Sequence, residues 1–182
     1  CDDKISIDCA LVILGSNSKE KQFIFFDFKF SNFSLFTKAF NEPIKVWFSL
    51  NNDNFSKIDF SVALAYSGDI QIELIKQHCE TPSIYNEYVD YKKNSVHHFC
   101  TFTPNINDDL KILESQGYKN IQGGKTQDGG SFAYLDSENN FGAILEIAQL
   151  SEGGYGMFDL IKNAAKKWDG ERAILELGDI SI

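Results

Sequence analysis

Apolar and polar positions along the chain follow two rhythms, and together they predict most of its elements. From residue 70 to 77, and again from 96 to 103, the alternation has period two, the mark of a strand with unlike faces. Gln71, Glu73 and Ile75 share one face of the first run, and His98, Cys100 and Phe102 share one face of the second. Runs at 4–14, 21–30, 44–50, 58–66, 120–123, 131–136 and 143–150 predict further strands. Helical spacing predicts helices over 33–40 behind Asn32, over 82–90 behind Thr81, and over 107–116 between Asn107 and Gly117. A last helix over 157–170 carries the stripe Met157, Ile161, Ala164, Ala165 and Trp168. Turn residues cluster at 16–20, 51–54, 67–69 and 129–130. Each half then reads strand, helix, strand, strand, strand, an internal βαβββ repeat. The class is α+β, divided as 1–20 (a strand-like N-terminal extension), 21–80 (first module), 81–150 (second module with a helical connector) and 151–182 (C-terminal helix and tail).

Composition narrows the partners. The 182 residues are 43% hydrophobic, enough for a sizeable core. A net charge of −9 argues against a nucleic-acid backbone or an anionic membrane as partner. No apolar run has the length of a membrane span. Cys1, Cys9, Cys79 and Cys100 show no CxxC spacing and read as reduced thiols of a cytoplasmic protein. Cys1-Asp2-Asp3 also suits a mature lipoprotein start, the lesser of two readings beside processing of the chain.

The candidate chemistry lies in polar residues set within strands. Glu73 sits mid-strand among Ile and Leu, where a carboxylate is costly unless partnered, and a metal ion is one such partner. His98 precedes Glu146 by 48 residues, and Gln22 precedes Glu73 by 51, so Gln22, Glu73, His98 and Glu146 fall at matching strand positions. Cys9, 64 residues before Glu73, fits that spacing badly. His98 taken alone reads as a core histidine; two glutamates at matched positions favour the metal reading. His97 is expected on the opposite face as a structural residue, and His78 as a solvated loop residue. Cys100 reads as a packed thiol beside the cavity. Trp47, Phe102, Phe132 and Tyr134 read as core residues, some of them walling an apolar pocket.

Several segments resemble the vicinal oxygen chelate superfamily, which includes glyoxalase I, methylmalonyl-CoA epimerase, extradiol dioxygenases and bleomycin-resistance proteins. They are VALAYSGDIQIELIKQ (62–77), PSIYNEYVD (82–90), HHFCTF (97–102), LESQGY (113–118), SFAYLDSE (131–138), ILEIAQ (144–149) and MFDLIKNAAKKWDG (157–170). The resemblance covers roughly 22–170 and leaves the first 20 residues outside. It implies two paired βαβββ modules whose sheet curves around a cleft, followed by a C-terminal helix. It implies a divalent metal (Zn, Ni, Co or Mn) held by Gln22, Glu73, His98 and Glu146, a set similar to that of glyoxalase I. Lys29 stands where the family usually has Asp. One histidine in the set weakens the dioxygenase reading, which needs two. The implied activity is proton transfer beside a carbonyl, as a lyase, isomerase or epimerase, with Glu146 as base. The implied substrate is a small molecule such as a thioester or hemithioacetal, in a pocket that includes Trp47, Cys100, Phe102 and Tyr134, and a homodimer is compatible with it. The alternative is a non-catalytic binder of the bleomycin-resistance type. No basic cluster is evident to grip a nucleotide phosphate.

Overall fold

The structure is a computed structural model and describes residues 9–14, 36–40, 44–48, 55–87, 96–136, 144–169, 171 and 174–180. Its strands are β1 (Cys9–Leu14), β2 (Phe36–Phe40), β3 (Ile44–Phe48), β4 (Phe55–Ile58), β5 (Phe60–Ser67), β6 (Ile70–Gln77), β7 (Val96–Phe102), β8 (Lys119–Lys125), β9 (Ser131–Asp136), β10 (Ile144–Gln149) and β11 (Ile174–Glu176). The helices are α1 (Ile84–Glu87), α2 (Ile106–Ser115) and α3 (Glu152–Lys166). The described strands form one sheet in the order β11-β2-β5-β6-β1-β7-β10-β9-β8-β3-β4.

The second half is a βαβββ module: β7, α2, then β8-β9-β10, with β7 parallel to β10 and the rest antiparallel. In the first half β2-β5-β6 repeats the β8-β9-β10 meander. The fold is α+β, and the two meanders lie on either side of the central pair β1 and β7.

Three local expectations change. Residues 36–40 form a strand rather than a helix, antiparallel to β5. Phe33, Phe36 and Phe40 fit helical spacing, but Phe36, Lys38 and Phe40 also alternate, and across so short a window the sheet edge of β5 decides between them. The strand over 44–50 is present as β3 but does not continue the first module. It forms a hairpin with β4 and pairs with β8, at the far edge of the second half. The strand expected over 4–14 is present as β1, and it sits mid-sheet between the halves instead of outside them. β1 runs antiparallel to β6 and parallel to β7, so it does not stand to β6 as β7 stands to β10. The strand expected over 21–30 lies outside the described residues.

Caps set the helix ends. Asn105, not Asn107, caps α2: its side chain accepts from the Asp108 N–H, with Asp108 and Asp109 in the favourable first turn. Gly117 follows with φ 94°, the left-handed conformation that helix ends favour in glycine. Ser83 rather than Thr81 caps α1, its hydroxyl accepting from Tyr85 N–H. α3 begins earlier than the pattern implied, because Ser151 accepts from Gly154 N–H and so starts the helix at Glu152.

Two apolar layers flank the sheet. On one face, Ile106 of α2 packs with Ala133, Leu135 and Ile147, flanked by Leu110 and Leu113. On the other, Phe60, Val62, Leu64, Ile75, Tyr85, Tyr134 and Ile161 of α3 form the larger cluster, and this layer holds the site.

Candidate metal centre

Strand pleating brings three of the expected residues together. On β6, Glu73 lies in register opposite Leu64 of β5; on β10, Glu146 lies opposite Tyr134 of β9. β7 and β10 are parallel with Ile144 opposite His98 and Glu146 opposite Cys100, so His98 and Glu146 face one another across a single pleat. His98 Nε2 lies 3.0 Å from Glu146 Oε2 and 3.7 Å from Glu73 Oε2. One donor atom from each of Glu73, His98 and Glu146 lies within 4.8 Å of the other two. His98 is 0% exposed, and both glutamates are largely buried.

Two carboxylates at one buried point repel. Burial, and after it the negative charge of Glu146, raises the Glu73 carboxyl well above its usual range. His98 Nδ1 lies 2.7 Å from Nδ1 of His97, whose Nε2 lies 3.1 Å from the Ile84 carbonyl oxygen. A carbonyl only accepts, so His97 Nε2 carries a proton. Burial, then the neighbouring His98, holds His97 down to about 3, so it is neutral and its Nδ1 is bare. His98 must therefore donate from Nδ1, which turns Nε2 toward the two glutamates. That Nε2 is buried without a hydrogen bond of good geometry despite the 3.0 Å approach. An imidazole nitrogen and two carboxylates converging on one buried point is the donor set of a divalent cation with mixed N/O ligands. The residues present fit such an ion.

The profile of the Glyoxalase/Bleomycin resistance protein/Dioxygenase superfamily matches residues 34–134, from just before β2 to β9. The chain belongs to this superfamily. The matched span contains Glu73 and His98 and ends before Glu146. No curated protein is similar to the chain in sequence at a significant level. Among solved structures, a hypothetical protein from Bacillus halodurans is 14% identical, covering 66% of this chain and 95% of the other at a TM-score of 0.43. A variant of Streptomyces coelicolor methylmalonyl-CoA epimerase with 2-nitronate-propionyl-CoA is 12% identical (80% and 96% covered, TM-score 0.45). A methylmalonyl-CoA epimerase with methylmalonyl-CoA and ammonium is also 12% identical (80% and 94% covered, TM-score 0.46).

In this member of the vicinal oxygen chelate superfamily Glu73 and Glu146 line a cavity of about 760 Å³ between the sheet and α3, and the buried His98 lies behind them. Cys100, Phe102 and Tyr134 line it, with Phe132, Met157 and Phe158 completing an apolar wall. Trp47 lies on β3 opposite Gly123 of β8, three strands from β10. Gln22 lies outside the described residues. Burial, and after it the charges of Glu146 and Glu73, pushes the Cys100 thiol well up, so it stays protonated and is no nucleophile. Cys79 and Cys100 are both free. No described helix is long and apolar enough to cross a membrane.

Two residues beside the site were missed. Tyr85 lines the cavity, and its hydroxyl lies 2.9 Å from that of Tyr134. A helical connector offered no reason to place it there. His97, assigned to the opposite face, instead touches His98; the His-His doublet was the one available signal.

Proposed function

We propose that this protein is a metal-dependent enzyme that moves a proton at the carbon next to a carbonyl of a small apolar substrate. The observation that carries this reading is the convergence of Glu73, His98 and Glu146, with the two glutamates lining a largely apolar cavity. A divalent ion held by these residues would act as a Lewis acid toward adjacent substrate oxygens and acidify the neighbouring C–H. The protein's own groups have separable tasks. His98 turns Nε2 into the site and keeps it there through His97. The carboxylate of Glu146 takes the proton from carbon and returns it. Phe102, Phe132, Met157 and Phe158 exclude water, which strengthens each polar interaction inside. The substrate class is an acyl thioester, hemithioacetal or similar compound with neighbouring oxygens, and the metal is Zn, Ni, Co or Mn.

The aromatic lining of the cavity favours a second reading, a non-catalytic binder that encloses an apolar molecule. Metal content and solvent exchange separate the two. An enzyme of the proposed type purifies with, or takes up, about one divalent ion, and it exchanges substrate C–H for deuterium in D₂O. His98→Ala then loses ion and exchange together. Ligand binding that survives both chelation and His98→Ala, with no exchange on any thioester or hemithioacetal tested, would establish the binder instead.

A further inference from the structure

A chain of buried polar contacts runs from β8 to the candidate centre. Gln122, fully buried on β8, accepts through Oε1 from the Ile84 N–H at 3.1 Å. The Ile84 carbonyl, at the start of α1, accepts from His97 Nε2 at 3.1 Å. His97 Nδ1 meets His98 Nδ1 at 2.7 Å, and His98 Nε2 faces Glu73 and Glu146. The carbonyl at one end can only accept, which leaves one order of donors and acceptors for neutral rings. His97 holds its proton on Nε2, and His98 holds its proton on Nδ1. A charged His97 would reverse that order, but it would sit buried against the Tyr85 ring (centroids 5.7 Å apart) with a carbonyl as its other partner and no carboxylate paired with it among the described residues.

We infer that His97 is a positioning residue that fixes the Nδ1–H tautomer and the ring orientation of His98, so that Nε2 is delivered to the metal. This rests on the reading that Glu73, His98 and Glu146 hold a divalent ion. The ring of a ligating histidine has two failures open to it: the wrong nitrogen protonated, or rotation about χ2. The hydrogen bond from His98 Nδ1 prevents both. His97 can do this because its own far nitrogen is tied to main chain, and that main chain is itself held by Gln122. α1 also presents Tyr85 to the cavity, so the segment that orients the ligand touches the substrate space as well.

Two measurements test the inference. Long-range ¹H–¹⁵N spectra of the imidazoles assign the protons directly, with and without Zn²⁺. The expected pattern is His98 protonated at Nδ1 and His97 protonated at Nε2 with Nδ1 bare; His97 protonated at Nδ1 and His98 bare there would overturn the proposal. Titration with Zn²⁺ and Co²⁺ then compares wild type with His97→Phe and His97→Gln. Removing the acceptor should weaken both ions by ~10–100-fold, the usual size for loss of an outer partner. Gln keeps an acceptor oxygen and should recover part of the loss. The Co²⁺ absorption band should broaden or shift in His97→Phe, as ligand orientation loosens. A His97→Phe protein that melts earlier yet binds both ions as tightly as wild type would show a purely structural role. Should His97→Phe fail to fold, the nitrogen pattern of wild type still decides. If wild type takes up neither ion, the metal reading of the site fails, whereas that pattern continues to judge the His97–His98 contact by itself.

Discussion

The two halves of the sheet build the same three-strand meander and put it to different uses. In the second half, β10 carries Glu146 and its neighbour β7 carries His98, so two of the three donors come from adjacent parallel strands. Among the described residues the first half contributes Glu73 alone, and Leu64 stands opposite it where Tyr134 stands opposite Glu146. The first half is thus mainly wall, with Phe60, Val62 and Leu64 facing the cavity. The second half brings the imidazole, the phenol and the other carboxylate. A shared hydrogen-bond ladder sets where a side chain points, while the residue placed on it decides the chemistry.

The sharpest way to break this comparison is to make the same change in each half. Glu146→Gln removes the proposed base and should lower turnover by ~10²–10⁴-fold while much of the metal affinity stays, since an amide oxygen still coordinates. Glu73→Gln should lower turnover by less than about tenfold. Steady-state rates and metal titrations on both variants check this, and equal losses would mean that the assignment of base to one half is wrong.

Core truncations sharpen the comparison next. Leu135 is fully buried under α2, away from the cavity, and Leu64 borders the cavity. Leu135→Ala opens a new void and should cost near the top of the ~2–5 kcal/mol range for such changes; Leu64→Ala enlarges an existing space and should fall near its bottom. Denaturant unfolding of the metal-free proteins measures both.

Stability against pH follows from Glu73. Burial and the charge of Glu146 raise its carboxyl well above the usual 4.5, so the folded protein holds that proton more tightly than the unfolded chain does. The resulting stabilisation is complete below about 4.5 and is lost as pH climbs through the raised value. Metal-free wild type should therefore melt progressively earlier as pH rises above about 4.5. Glu73→Gln should flatten that slope, and a wild-type profile already flat would contradict the repulsion between the glutamates.

The smallest effect expected lies at the helix caps. Asn105→Ala leaves the Asp108 N–H without its acceptor and should cost about 1 kcal/mol in unfolding experiments, with no change in metal affinity.

Much of the fold was legible because it rests on local periodicity. Glu73, His98 and Glu146 stood out as polar residues inside alternating strands, a pattern read from one strand at a time. The strands around them, α2 and its glycine stop were legible for the same reason. Tertiary structure decided what depends on pairing between distant segments. Residues 36–40 are a strand because β5 offers an edge to pair with, which a five-residue window cannot show. β3 pairs with β8 rather than with its own module and carries β4 at the sheet edge, and β1 enters the middle of the sheet, because hydrogen-bond partners are chosen in space. His97 is the plainest case. Strand alternation alone sends it away from His98, yet its ring nitrogen is 2.7 Å from that residue, and between Val96 and Phe99 β7 carries one residue more than β1 opposite it, an irregularity that local periodicity cannot see.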